Sequence, residues 1–81
     1  DVENRFARFC KVMGKRVARD SSDMGAWTLD YYKGWRIEEI YNEFGSVITP
    51  FGNKRYSANE LVHMMDFAVD SITLKEEINN E

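Results

Sequence analysis

Trp27-Thr28-Leu29-Asp30-Tyr31-Tyr32-Lys33-Gly34-Trp35-Arg36-Ile37-Glu38 is the stretch that decides the fold. Trp27, Leu29 and Tyr31 alternate with polar or smaller neighbours, as do Trp35 and Ile37, which is the period of half-buried strands. The link between the two runs sets the register. A two-residue Lys33-Gly34 loop would place Ile37 opposite Asp30. A three-residue Tyr32-Lys33-Gly34 loop instead pairs Tyr31 with Trp35, Leu29 with Ile37 and Asp30 with Arg36. That register gathers one apolar face and one opposite-charge pair. It also sets Gly34 where three-residue hairpins need a positive φ. A hairpin with this second register is expected, its strands covering residues 26–32 and 35–41.

Beyond the hairpin, Asn42-Glu43-Phe44-Gly45 reads as a turn and Ser46-Val47-Ile48-Thr49 as a third strand over residues 46–50. Pro50 has no amide hydrogen for a ladder, so this strand belongs at an edge. Ser57-Ala58-Asn59-Glu60 is a capping box, with Tyr56 and Leu61 at the spacing of a hydrophobic staple. Leu61, Met64, Met65, Ala68 and Ile72, widened by Val62 and Val69, mark the apolar face of a helix over residues 58–73. The pattern is open to an extension through Ile78, with residues 79–81 fraying.

Before the hairpin, Val2, Phe6, Phe9, Cys10, Met13 and Val17 share one helical face, and both this stripe and the basic residues keep phase past Gly14. Gly14 is a possible helix stop, but the phase favours a helix over residues 2–18, followed by a polar loop at 19–23. The expected architecture is one small α+β domain spanning residues 1–81. Its order is α-β-β-β-α, a three-stranded antiparallel meander covered on one face by two helices.

Eighty-one residues suffice for one core, and a hydrophobic share of 43% with 31% charged residues is that of a globular chain rather than a disordered one. No apolar run approaches the ~18–20 residues of a membrane span, and no basic leader precedes an apolar stretch, so no membrane partner is expected. The lone Cys10 fits a reducing interior, and a cytoplasmic location inside a host cell is expected. The start at Asp1 rather than Met implies a trimmed chain or a piece of a longer one. The net charge of −3 hides a polarity. Residues 1–20 carry six basic side chains against three acids, and residues 21–81 carry five against 11.

The reactive inventory is thin. His63 has Glu60 three residues before it and Asp66 three after, yet a di-iron site needs a second such motif and two further Glu. It reads as an exposed helix histidine. Cys10 lies on an apolar stripe and reads as a buried structural thiol. One Cys and one His do not make a structural zinc site, no phosphate-cradling glycine loop is present, and neither a cofactor nor a metal is expected. The chain is not expected to be an enzyme. A small enzyme built on His63 would need a second catalytic group that the sequence does not offer.

Two charged surfaces remain. Glu38 and Glu43 of the meander, with Asp66, Asp70, Glu76 and Glu77 of the second helix, form a candidate acidic surface for a basic protein partner. Arg5, Arg8, Lys15, Arg16 and Arg19 of the first helix, supported by Lys54 and Arg55, form the alternative, a nucleic-acid-binding face. A third option is a structural dimer formed through Tyr32, Phe44 or Phe51.

The α-β-β-β-α order with Lys54-Arg55 before the last helix resembles the double-stranded-RNA-binding domain in topology. That family carries a Gly-Pro loop with a His where this chain has Tyr32-Lys33-Gly34, and a lysine cluster where it has Ser57-Ala58-Asn59-Glu60. The stretch 32–38, Pro50-Phe51-Gly52 and the helix from Ser57 resemble small accessory proteins of phages and mobile elements, of the anti-defence, anti-CRISPR-like type. That resemblance implies a non-enzymatic protein-binding module, a monomer or homodimer. It would act as a phage-encoded inhibitor that occupies the nucleic-acid-binding surface of a host protein such as a nuclease.

Overall fold

A computed structural model describes residues 1–42, 45 and 47–79. In chain order these form helix α1 (Val2–Met13), strands β1 (Trp27–Tyr31) and β2 (Trp35–Glu39), and helix α2 (Ala58–Asn79). The chain is α+β, but among the described residues its sheet has two strands, β1 and β2, in place of the expected three-stranded meander. The hairpin has the register that pairs Tyr31 with Trp35, Leu29 with Ile37 and Asp30 with Arg36. Lys33 and Gly34 turn the chain with φ of 56° and 144°.

Both edges of the hairpin are taken by single bridges, which explains why a third strand finds no place. On the β1 edge, Val17 bridges Trp27 in parallel, with Trp27 N–H donating to Arg16 O at 2.9 Å and Ala18 N–H to Trp27 O at 2.8 Å. On the β2 edge, Tyr56 and Trp35 exchange both backbone bonds, at 2.7 and 2.8 Å. A strand over 46–50 would have to pair along that same edge. Ser46 lies outside the described residues; Val47 and Ile48 stay exposed, and Thr49 enters a turn in which Gly52 N–H donates to Thr49 O at 3.3 Å. Of the expected 42–45 turn, Gly45 N–H donates to Asn42 O at 3.0 Å, while Glu43 and Phe44 are outside the described residues.

Helix α1 ends at Met13 rather than near residue 18. Gly14 adopts φ 72°, ψ 26°; its N–H donates to Lys11 O at 3.2 Å, and Lys15 N–H reaches back to Cys10 O at 2.8 Å. These two bonds are the Schellman arrangement, which satisfies the last carbonyls and turns the chain out of the helix. Local cap chemistry therefore outweighs a hydrophobic phase that continues by only one residue, Val17, itself half exposed. Asp1 caps the other end by accepting from Asn4 N–H at 2.9 Å.

Helix α2 begins at the expected capping box: Glu60 N–H donates to Ser57 Oγ at 3.1 Å and Ser57 N–H to a Glu60 carboxylate oxygen at 2.9 Å. It runs 22 residues, beyond the expected 58–73. Asn79 is its last residue; the fraying expected at Asn80 and Glu81 falls outside the described residues.

The core joins Val2, Phe6, Phe9 and Cys10 of α1, Trp27 and Ile37 of the hairpin, and Leu61, Met65 and Val69 of α2. Phe9 is its centre, with Trp27 stacked at 5.7 Å and Phe51 at 5.4 Å between ring centroids. The helices pack chiefly on each other, α1 also touching β1 and α2 touching β2. A 12-residue helix reaches about 18 Å and a 22-residue helix about 33 Å. The short α1 therefore covers only part of α2, and from Asp70 to Asn79 every α2 residue except Ile72 is exposed.

Candidate protein-interaction surface

The charged faces read from the sequence meet each other in the fold. Asp66 on α2 sits 3.7 Å from the Arg5 guanidinium and 3.6 Å from that of Arg8, and Asp70 is 4.0 Å from Arg8. The rest of the expected basic face leaves α1 at the Gly14 cap. Arg16 donates to Asp23 Oδ1 at 2.8 Å, Arg19 Nε to Asp23 Oδ2 at 3.4 Å, and Lys15 Nζ to Glu39 at 3.3 Å. Arg55 binds Asp30 at 2.5 Å and packs against the Tyr32 ring, while Lys54 lies over the Tyr56 ring at 5.4 Å. Among the described residues, six of the seven cations proposed for phosphate thus have a carboxylate within ion-pair distance, the exception being Lys54. They do not share one face.

The acidic set divides as well. Glu38 lies on the polar sheet face and is held by Arg36 at 2.5 Å, with Arg55 at 3.9 Å. Arg36 therefore bonds its strand neighbour, and Arg55 takes the Asp30 that the register sets across from Arg36. Asp66 is committed to α1, and Glu43 lies outside the described residues. Asp70, Glu76 and Glu77 are the acidic candidates that the structure leaves open to solvent, all on the far half of α2.

Among the described residues the buried polar side chain is Asp23, which the sequence places in the polar loop at 19–23. Its carboxylate accepts from Arg16, from Arg19 N–H at 3.2 Å and from Arg19 Nε. The hydrogen bond from Arg16, then that from the Arg19 backbone, hold its pKa below the usual carboxylate range. Bonds from the Ser22 hydroxyl and amide lower Asp20, and those from Ser57 lower Glu60. These shifts organise the 19–25 loop and the start of α2.

Reactive groups are not brought together. Cys10 is buried, and loss of solvation pushes its thiol up to about 11. His63 is exposed; of its helical neighbours, Glu60 closes the capping box and Asp66 faces α1. Among the described residues no group of three or more His, Cys, Asp or Glu is placed to hold a metal ion, and no helix is long and apolar enough to cross a membrane. A depression of about 510 Å³ between the hairpin loop and the start of α2 is lined by Lys33, Trp35, Arg55, Tyr56 and Glu60, where Arg55 is already bound to Asp30.

The distinctive surface is the outer side of α2. At 100° per residue, Phe67 points about 160° away from Met65 and Val69, which are buried. Phe67 is 75% exposed, and Leu74 and Ile78 on the same line are 58% and 61% exposed. Phe67 also walls a shallow groove of about 350 Å³ with Phe51, His63, Met64 and Ala68, a lining almost wholly apolar. Helix α2 is thus apolar along two opposite lines, one spent on the core and one bare. The sequence reading found only the first. The signal for the second was present in the 67–74–78 spacing, but a helix stopped at residue 73 hides it.

Comparison of the chain with family models, with curated proteins and with solved structures found no match.

Proposed function

We propose that this chain is a non-enzymatic protein-binding module whose interacting element is the outer face of α2. One observation carries this reading: a helix already anchored in the core by Leu61, Met65 and Val69 keeps a second line of large apolar side chains in water, headed by Phe67 at 75% exposure. Burying such a side chain on a partner contributes about 1.5–3 kcal/mol each, and contiguous exposed apolar surface marks interaction sites. Asp70 and Glu77 border the line and would steer it toward basic side chains of a partner, while Glu76 stands on the opposite side of the helix. The phage-inhibitor form of this reading sets Asp70 and Glu77 against a host protein's nucleic-acid-binding surface. Glu38 and Asp66 contribute less, because arginines of the same chain hold them.

The test is site-specific photo-cross-linking in the cells of origin. A benzophenone side chain in place of Phe67 or of Leu74 should yield a covalent protein adduct. The same group in place of Tyr41, exposed beyond the end of β2, should not. No adduct from either α2 position would end the reading.

A further inference from the structure

We infer that a second copy of this chain covers the bare line of α2, through a parallel two-helix seam. This rests on the reading of α2 as the interacting element and names its occupant. Met64, Phe67, Ser71, Leu74 and Ile78 follow one another at steps of three, four, three and four residues. That is the 3.5-residue period of a two-helix seam, with Met64, Ser71 and Ile78 in one set of layers and Phe67 and Leu74 in the other. The inner residues Leu61, Met65 and Val69 lie on the opposite side, against α1 and the hairpin, while Met64 and Phe67 at the near end of the seam border Phe51.

The charges beside the line choose both partner and direction. Asp70 and Glu77 flank it on one side and Lys75 on the other. In a parallel pair, a residue on the first flank faces the residue five positions further on the second flank of the neighbouring helix. Asp70 of each copy then faces Lys75 of the other, and the contact forms twice. An antiparallel pair sets Asp70 and Glu77 against the same acidic flank. Asp70 is 76% exposed, and its 4.0 Å approach to Arg8 leaves a carboxylate oxygen open to Lys75 of the second copy.

The projecting end of α2 also needs such support. These ten residues prolong a helix already nucleated in the core, and all but Ile72 are exposed, so their stability rests chiefly on local propensity. The last turn has no basic residue, and Glu76 and Glu77 sit at the negative end of the helix dipole. Packing along Phe67, Leu74 and Ile78 supplies what local propensity does not. The seam is short: taking roughly 100–150 Å² from each of its four apolar side chains, it offers on the order of 400–600 Å² per copy. Doubled, that reaches at most the ~1,200 Å² in total at the lower bound of stable interfaces, and Ser71 weakens the middle layer. The pairing is therefore a concentration-dependent equilibrium.

Sedimentation velocity on the full chain, from about 5 to about 500 µM, reads it directly. The mass should rise from that of the 9.5 kDa monomer toward twice that value. Asp70→Lys and Lys75→Asp should each weaken self-association about three- to tenfold. An equimolar mixture of the two variants should restore it, because both cross-pairs become opposite in charge. Circular dichroism shows whether each variant keeps its helices, and the mixing result stands even if one variant is partly unfolded alone. A wild-type mass that stays monomeric throughout, or a mixture no better than its components, overturns the proposal. The cross-linking of Leu74 separates the two failures. An adduct with a different protein removes the second copy but keeps the binding face, whereas no adduct and no dimer remove both.

Discussion

Arg16 Nη2 stands 2.8 Å from Asp23 Oδ1, and this pair closes the loop that a longer first helix would have erased. Asp23 is buried and also accepts the Arg19 amide, so its removal strands a backbone donor and releases two exposed guanidinium groups from the loop. Asp23→Ala should lower the midpoint of thermal unfolding and speed amide exchange across residues 19–25. Asp23→Asn, which keeps an acceptor, should do less. Equal midpoints for wild type and Asp23→Ala would show that the loop is held some other way.

Acid should weaken the fold for the same reason. Asp23, Asp20 and Glu60 all have folded-state pKa values below their ordinary ones, through hydrogen bonds from Arg16, Ser22 and Ser57 respectively. A depressed folded value means that the unfolded chain binds protons first as pH falls. The stabilisation is present above the ordinary carboxylate range, at about pH 4, and is lost as pH drops through the lower folded values. Urea midpoints measured from pH 7 to pH 3 should fall across that window, and Asp23→Asn should flatten the profile. A midpoint as high at pH 3 as at pH 6 contradicts the assignment.

Gly34 has the least room of the turn glycines. A Cβ there would meet Arg55 Cβ at 2.9 Å, and φ is 144°, where side chains are rarely accepted. Gly34→Ala should cost roughly 1–3 kcal/mol, with faster exchange at the Trp35 and Tyr56 amides because their bridge adjoins the clash. Denaturant titration with amide exchange checks both parts; loss of stability with an intact bridge would place the strain elsewhere.

Gly14→Ala provides the contrast. Its φ of 72° is also left-handed, but nothing lies within 4 Å of the added Cβ, so only the backbone term remains. A cost of about 1 kcal/mol is expected, smaller than that at Gly34. If it instead stabilised the protein, the helix would be continuing past Met13 as its apolar phase implies.

Cys10 should resist thiol reagents in the native state. Desolvation raises its pKa to about 11, so little thiolate exists at pH 8, and the side chain is only 1% exposed. A raised folded value gives stability that is complete below the unfolded pKa and lost as pH climbs toward 11. Labelling with a chromogenic disulfide at pH 8 should be slow in buffer and fast in denaturant. Comparable rates in the two would mean that α1 opens freely.

Much of the fold was legible because its signals are local. The capping box at Ser57 and Glu60 and the hairpin register are both set by residues within a few positions of each other, and both appear as read. The end of α1 was less legible because two local signals conflicted: apolar phase at Val17 against a left-handed cap at Gly14. The third strand failed for a reason outside its own residues. The β2 edge it needed is held at Trp35 by Tyr56, and the β1 edge by Val17. The candidate site divides along the same line. Charged residues could be counted from the sequence, but which of them cancel could not, since Arg5, Arg8 and Asp66 meet only when two helices far apart in the chain pack together.

By itself, the order of residues determined where the hairpin folds, where α2 starts and which apolar stripe enters the core, because periodicity and cap chemistry act over one or two turns. Tertiary packing alone decided that the opposite charges of the two helices neutralise each other. It also decided that a 12-residue helix leaves the end of a 22-residue one uncovered. Those outcomes depend on lengths and docking distances between distant segments, and with Phe67, Leu74 and Ile78 turned away from the core they leave the outer line of α2 in water.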